Sequence, residues 1–255
     1  MKKTTQPLTG STHQTVLKIS TARSSESIRI GFTDQRLTAY GGMALWSSFL
    51  HKRKVRDVLG RVLPQQPTSP NAFHPVDIAL SLLGGILSGA NKLSRVAHLR
   101  DDSAISEVLG VEEIASQSTL SRFANGFDKP ASDGLNWLHQ WALGRLPSLR
   151  EGYSLDLDSW SLLHRDGQQE GVLVGHTPVG LKPCHRPLIA CLAEAKLVAG
   201  FWLRQGNAQC AEQAPEYLNE LLEGLPSHIR IRIVRADAGF YCEKVLQILE
   251  QRGLY

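Results

Sequence analysis

The chain has 255 residues, of which 42% are hydrophobic and 20% are charged. This composition is that of a globular protein, and it excludes disordered, collagen-like and coiled-coil classes. The length fits one large domain or two small ones. The longest near-apolar stretch, residues 78–90, is shorter than the roughly 20 residues of a transmembrane helix, so we expect a soluble protein.

Positive charge is concentrated near the N-terminus. Residues 1–61 contain eleven Lys and Arg against three Asp and Glu, a net charge of +8, whereas the whole chain carries +4. The remaining residues are therefore net acidic. Because neutralisation of phosphates by Lys and Arg dominates nucleic-acid affinity, a basic head suggests a segment that meets a polyanion. From charge alone, a solvated tail is an equally good interpretation.

Cysteine spacing and the short motifs exclude several classes of site. The four cysteines show neither C-x-x-C nor paired histidine spacing, which favours a reduced cytosolic protein. No apolar run follows the N-terminal lysines, so a secretory signal is not expected. The P-loop, dinucleotide-binding, zinc-protease and serine-hydrolase motifs do not occur in the sequence, which argues against those enzymes.

The N-terminal part divides into an arm and a basic helical region. Residues 1–24 are rich in Ser, Thr and Gln without periodicity, which is typical of a mobile arm. Residues 25–150 are predicted to form a helical DNA-binding region, interrupted by a proline-rich linker after residue 63. Its first helix leads into a cluster of candidate phosphate-binding side chains: Lys52, Arg53, Lys54 and Arg56.

Residues 101–123 have the cadence of a helix-turn-helix. The first helix is predicted to end at Val108–Gly110, and QSTLSRF begins a second helix with a serine cap. We expect Gln117, Ser121 and Arg122 to face a DNA groove. The alternative is that these short helices are an ordinary bundle core.

From residue 151 the sequence period changes to that of strands. Strands are predicted in YSLDLDSW, EGVLVGHT, PLIACLAEA, KLVAGFWLRQG and HIRIRIVRADAGF, and helices in NAQCAEQAPEYLNELLEGL and YCEKVLQILEQRGLY. This order of elements predicts a mixed α/β sheet over residues 151–255.

Two of these strands end in carboxylates. Asp158 follows Asp156 by two residues, so both lie on one face of their strand, and Asp237 follows a hydrophobic strand. Sites in α/β sheets form at the carboxyl ends of strands. Converging carboxylates suit Mg²⁺ or Mn²⁺, which can promote phosphoryl transfer. A local salt bridge between Arg235 and Asp237 is the alternative.

Four motifs together resemble the DDE transposases of bacterial insertion sequences. DLDSW, GQQEG, LRQGNA and RADAGFY occur in the order typical of a branch with D-x-D-S, Q-x-E-G and R-A-D-x-G-F. The resemblance covers most of residues 25–255 and implies a ribonuclease-H-like catalytic fold. It implies that Asp158 is the first metal ligand, that Asp237 is the second, and that a third ligand is a Glu on a later helix.

The sequence departs from that branch at two places. Trp160 stands where the branch has Thr, and the sequence stops soon after Asp237, before the position expected for the third carboxylate. Glu243 and Glu250 lie on the helix directly after Asp237 and are not assigned to catalysis, because a Glu on a helix surface is usually solvated. We therefore expect an incomplete ribonuclease-H-like sheet in a C-terminally truncated chain.

Other polar residues are weaker candidates. Gln168, Gln169 and Glu170 could orient a phosphate or form a hairpin turn. The candidates for additional phosphate contacts are His176, Lys182, His185 and Arg186.

These observations favour a transposase that binds double-stranded DNA, at terminal inverted repeats and at a target, and cleaves and joins strands with Mg²⁺ or Mn²⁺. The resemblance implies a cytoplasmic, nucleoid-associated homodimer when active. The alternative function is a non-catalytic DNA-binding remnant or a truncated competitor for the same ends. A glycosyl transferase with a D-x-D metal site would leave RADAGFY unexplained.

Overall fold

The computed structural model describes residues 17–20, 27–30, 36–64, 69, 71–164 and 168–254. The chain forms two compact units, residues 1–134 and 135–255. The division lies inside a helix, earlier than the predicted boundary at residue 150. We describe each unit by itself.

The N-terminal unit is built from short helices and one two-stranded ribbon. In the ribbon, β1 (Leu17–Ser20) pairs antiparallel with β2 (Ser27–Ile30), so regular structure occurs inside the range predicted to be an arm. The sequence signal was the alternation of Leu17 with Ile19 and of Ile28 with Ile30. The rest of residues 1–24 lies outside the described ranges. The helices are α1 (Met43–Lys52), α2 (Val55–Val62), α3 (Pro75–Leu87), α4 (Leu93–Ala97), α5 (Ile105–Leu109) and α6 (Gln117–Asn125).

Local signals set the ends of these helices. Pro75 occupies the first turn of α3, where its missing N–H costs nothing. Gly110 ends α5 in the left-handed region with φ +68°. The Ser116 side chain caps α6 by accepting a hydrogen bond from the N–H of Thr119 at 3.2 Å. The caps confirm the helix boundaries that the sequence predicted.

The C-terminal unit is a mixed α/β sheet, as predicted. Helix α7 (Lys129–Leu143) crosses from one unit into the other. The strands and helices that follow are β3 (Tyr153–Ser159), β4 (Leu162–Leu163), β5 (Leu173–Thr177), β6 (Gly180–His185), β7 (Leu188–Leu192), β8 (Leu197–Trp202), α8 (Ala214–Gly224), β9 (Ile231–Ala236) and α9 (Glu243–Gln251). The main sheet has the order β8-β7-β3-β9, in which only the β3–β9 pair is parallel.

One face of the main sheet forms the core. Tyr153, Leu155 and Leu157 alternate along β3 and are buried with Leu218 of α8 and Val245 of α9. Period-two alternation then places Asp156 and Asp158 on the opposite face. The hydrophobic pattern of β3 therefore decides which face carries the acidic side chains.

A second sheet, with the order β4-β6-β5, lies between β3 and β7 in the sequence. Strands β4 and β6 were not predicted, because β4 has only two residues and the β6 sequence GLKPCH contains a proline and no alternation. Helix α8 begins at Ala214, later than predicted. None of the helices in the described ranges is both long and apolar enough to cross a membrane.

Candidate metal centre

Asp158 and Asp237 lie side by side at the carboxyl ends of two adjacent parallel strands. The parallel register of β3 and β9 pairs Asp156 with Arg235 and Leu157 with Ala236. Continuing it by one residue brings Asp158 level with Asp237. Neighbouring strands are about 4.8 Å apart, so the two carboxylates share one face and one end of the sheet. The structure thus brings together the two acids that the sequence singled out.

Backbone N–H groups fix one oxygen of each carboxylate. Oδ1 of Asp158 accepts a hydrogen bond from the N–H of Ser159 at 2.7 Å, and Oδ1 of Asp237 accepts one from the N–H of Gly239 at 2.9 Å. Within the described part of the chain, Oδ2 of neither residue has a protein partner, and both residues are exposed. Each carboxylate is therefore oriented by the hydrogen bond to its Oδ1, and its Oδ2 faces the solvent.

This donor set fits a hard divalent cation. Mg²⁺ takes oxygen ligands and is usually held by one or two carboxylates, with waters and substrate phosphates completing its shell. A cation would also offset the repulsion between two like charges at this separation. The described residues contain no cluster of three or more His, Cys, Asp or Glu side chains able to hold a metal. The fit rests on the two aspartates.

Asp156 is used differently, although it shares the face of Asp158. Both of its oxygens are occupied by Arg235, whose Nε and Nη2 donate hydrogen bonds of 2.6 and 2.7 Å. The hydrogen bonds to Asp156 raise the pKa of Arg235. The salt bridge that the sequence suggested for Arg235 therefore exists, but its partner is Asp156, and Asp237 stays unpaired by any cation among the described residues.

Cys191 borders the acidic side chains on β7. It lies opposite Asp156 in the β3–β7 ladder, and so on the same face. Burial raises the pKa of the Cys191 thiol, and the negative charges of Asp156 and Asp158 raise it further. Cys191 thus lies beside the carboxylates of both aspartates of β3.

Sequence reasoning missed Arg204, which lies just after β8 and is 4% exposed. One of its Nη atoms donates a hydrogen bond of 3.0 Å to Oγ of Ser159, the neighbour of Asp158. Arg204 belongs to the LRQGNA motif, one of the motifs that carry the resemblance. A charged residue directly after a hydrophobic strand is the pattern that would have indicated Arg204.

The basic cluster of the N-terminal unit has one member with a structural role. Lys52, Arg53 and Lys54 are exposed at the end of α1. Arg56 instead forms an ion pair with the buried carboxylate of Asp77 and donates a hydrogen bond of 2.9 Å to the carbonyl of Gly110. The sequence grouped all four as phosphate-binding residues, but the charge of Arg56 is partly neutralised by this pair.

Helix α6 presents the predicted polar side chains beside a buried anchor. Gln117 and Arg122 are exposed, Ser121 is half-buried, and Leu120 is 1% exposed. The connection from α5 to α6 covers residues 110–116. It is longer than the three- or four-residue turn of a standard helix-turn-helix.

His185 is not available for phosphate contact. It lies in β6 at 5% exposure, where its Nδ1 is 2.9 Å from Nε2 of His164. Its Nε2 donates to the carbonyl of Glu170 at 2.8 Å. Residues 168–170 are exposed and lead into β5. The sheet order β4-β6-β5 places β6 between the two strands that flank them, so these residues do not form the hairpin turn that the sequence offered as an alternative. The neighbours His176 and Lys182 are exposed.

A comparison with protein families identifies the family of this chain. The profile of the family described as "Transposase DDE domain group 1" matches residues 20–255 of this chain. A comparison with curated proteins found no match. The mixed sheet with two acids at adjacent strand ends is consistent with the ribonuclease-H-like domain that the resemblance implied.

Proposed function

Because this chain belongs to the DDE transposase family, we propose that it binds the terminal inverted repeats of a bacterial insertion sequence and cleaves and joins DNA strands there. The observation that carries this proposal is the position of Asp158 beside Asp237 on adjacent parallel strands. Each of these two acids has a free oxygen, and the one other acid nearby on β3 is already paired with an arginine.

The two aspartates act as ligands for a divalent cation, Mg²⁺ or Mn²⁺. When bound, such a cation supplies activation of an attacking water or 3′-hydroxyl oxygen and stabilises the leaving oxygen in phosphodiester chemistry. Asp158 and Asp237 hold it through their solvent-facing oxygens. The N–H groups of Ser159 and Gly239 keep both carboxylates oriented before DNA arrives, so little reorganisation is needed.

The N-terminal unit supplies DNA affinity in this proposal. Lys52, Arg53 and Lys54 contact backbone phosphates, since exposed cations at a helix end position a protein on a duplex without reading its sequence. The base edges are read by α6, through Gln117, Ser121 and Arg122. Two copies of the chain bring two element ends together, and the protein acts at the nucleoid in the cytoplasm.

The test is strand cleavage of a labelled duplex that contains an element end, with Mg²⁺ or Mn²⁺. Asp158→Asn and Asp237→Asn should each lower cleavage by more than about 100-fold, because even residues behind a metal ligand cost 10–100-fold. Their DNA affinity in a gel shift should stay unchanged. Glu151→Gln, which alters an exposed carboxylate just before β3, is the matched control.

Full cleavage by both aspartate variants would show that the acid pair is not the active centre. Binding of the duplex without cleavage by the unmodified chain, at every concentration of either metal, would instead support the non-catalytic DNA-binding function.

A further inference from the structure

The segment after β8, residues 203–213, contains a buried cation that we call the brace arginine, Arg204. Its Nε donates to the carbonyl of Arg186 at 3.0 Å, and Nη1 donates to the carbonyls of Gln209, at 2.9 Å, and Glu212. Nη2 donates to Oγ of Ser159 at 3.0 Å. The guanidinium therefore ties the chain before β7 and the 203–213 segment to the end of β3.

The surroundings of Arg204 make this a costly arrangement. Burial lowers the pKa of the guanidinium, and the negative charge of Glu212 opposes this shift. The acceptors within hydrogen-bond distance of the guanidinium are three carbonyl oxygens and one hydroxyl oxygen, not a carboxylate. Burying a charge without a counter-ion is unfavourable unless hydrogen bonds satisfy it. A planar group with five N–H donors can serve carbonyl and hydroxyl acceptors in several directions at once, which the single ammonium of lysine cannot.

The same segment touches the turn that carries the second acid. A Cβ added at Gly239 would lie 2.9 Å from Cβ and 3.1 Å from Sγ of Cys210, and 3.0 Å from Oδ1 of Asp237. Cys210 therefore packs directly against the glycine whose N–H holds Asp237. No side chain could occupy position 239 without displacing one of them.

The middle of the segment is wedged in place by the small sheet. A Cβ at Gly206 would lie 2.1 Å from the carbonyl oxygen of Cys184 and 2.3 Å from that of Leu173. Gln205 forms an antiparallel bridge with His185. Strands β5 and β6 therefore fix the segment between the contact of Arg204 with Ser159 and the contact of Cys210 with Gly239. The positions of the two ends of the segment are coupled for this reason.

We propose that Arg204 is a positioning residue for the metal centre. Through Ser159 it holds the end of β3, and with it Asp158, while Cys210 of the same segment holds the turn of Asp237. One wedged segment therefore sets the separation of the two carboxylates. This inference rests on the proposed function, because it assigns a role in the binding of the cation that the acid pair holds.

The experiment measures Mn²⁺ affinity of the full chain by the loss of the free Mn²⁺ signal in electron paramagnetic resonance. Ser159→Ala removes only the hydroxyl that accepts a hydrogen bond from Arg204 at the end of β3. Arg204→Gln removes the guanidinium group. Residues behind a metal ligand typically contribute 10–100-fold to affinity. We expect Arg204→Gln to weaken Mn²⁺ binding about tenfold and Ser159→Ala severalfold, and Arg204→Lys not to restore it.

Thermal unfolding in EDTA separates positioning from general stability. Arg252→Gln is the control, because the Arg252 guanidinium forms an ion pair with Glu223 and donates a hydrogen bond to Asn219, both on α8. It should lower the unfolding temperature without weakening Mn²⁺ binding. If Arg204→Gln fails to fold, Ser159→Ala decides the question, since Ser159 is partly exposed and its hydroxyl is not part of the core.

Two patterns of failure are distinguishable. Unchanged Mn²⁺ affinity in Ser159→Ala and in folded Arg204→Gln, with loss of binding in Asp158→Asn, would overturn the positioning role alone. Unchanged affinity in Asp158→Asn, or no Mn²⁺ binding by the unmodified chain, would overturn the proposed metal centre and the positioning role with it.

Discussion

Asp156 and Asp158 lie two residues apart on one face of β3, yet their surroundings give them different roles. Asp156 is paired with Arg235 at its own level of the ladder, whereas continuing the register beyond Leu157 and Ala236 places Asp158 level with Asp237. The sequence alone predicts that both face the same way. It does not predict which acid is neutralised, because that depends on the register with a strand far along the chain.

The first prediction concerns Asp156→Asn. We expect Mn²⁺ affinity to change by less than about threefold, because the Arg235 pair already occupies both Asp156 oxygens. The free energy of unfolding should fall by at most about 1 kcal/mol, the usual contribution of an exposed ion pair. Mn²⁺ titration and urea unfolding measure the two effects. A loss of Mn²⁺ binding as large as that of Asp158→Asn would make Asp156 a ligand.

The second prediction concerns Glu194, in the turn between β7 and β8. It accepts hydrogen bonds from the N–H and Oγ of Ser154, at 2.9 and 2.8 Å. The N–H bond is the largest influence, and it lowers the pKa of Glu194 below its ordinary 4.5 although burial opposes it. The stabilisation is therefore present above pH 4.5 and is lost as pH falls through the lowered pKa.

Glu194→Gln should consequently lower the free energy of unfolding by at most about 1 kcal/mol at pH 7, because the carboxylate is exposed and solvent screens its charge. The difference from the unmodified chain should shrink steadily below pH 4.5. Urea unfolding at a series of pH values measures it, with Glu151→Gln as an exposed control. A difference that is independent of pH would show that the carboxylate charge plays no part.

At the scale of elements, hydrophobic periodicity predicted the strands and helices that have a regular pattern of their own. Strands β3, β5, β7, β8 and β9 and helices α3, α8 and α9 follow from alternating or helical patterns. Strands β4 and β6 of the small sheet do not, because β4 is too short to show a pattern and β6 lacks alternation. Its pairing with both β4 and β5 is a tertiary effect. The sequence therefore predicted the acid strands but not the sheet that wedges the segment beside them.

The third prediction tests that wedge with Gly206→Ala. The added Cβ would collide with two backbone carbonyls, which cannot rotate away as a side chain could. Overpacking of this kind costs about 1–3 kcal/mol. Urea unfolding should show this loss, and Mn²⁺ affinity should fall with it. Gly224→Ala is the matched control, because the nearest atom to its Cβ is a side-chain nitrogen 4.0 Å away. Equal stability of the two variants would contradict the wedge.

At the scale of the whole molecule, the fold modifies the charge asymmetry of the sequence, because it pairs Arg36 and Arg56 of the basic head with acidic side chains. Arg56 belongs by sequence to the basic cluster, but it stabilises the buried Asp77. Hydrophobic periodicity could not predict that pair, because Asp77 lies in the first turn of α3, where an acidic residue is usually explained by the helix dipole.

The fourth prediction follows from this difference. Replacing Lys52, Arg53 and Lys54 by Gln should lower the slope of log affinity against log salt by about 2–3 on duplex DNA, since each lost phosphate contact removes about 0.9. Arg56→Gln should leave most of that slope but lower the free energy of unfolding by about 2 kcal/mol, because it leaves the buried carboxylate of Asp77 without its cationic partner. Gel shifts at several salt concentrations and urea unfolding separate the effects. An unchanged slope in the triple variant would remove these residues from the DNA interface.

The parallel ladder between β3 and β9 has a consequence for how this chain can diverge. The two acids are far apart in sequence, but the hydrogen-bonded register of β3 and β9 sets which of their backbone positions lie level with each other. Insertions at an exposed tip such as Pro178 and Val179, between β5 and β6, leave both that register and the segment 203–213 in place, whereas a single-residue slip of β9 would turn Asp237 toward the core. The chain between the two acids can therefore lengthen at this tip without moving either of them.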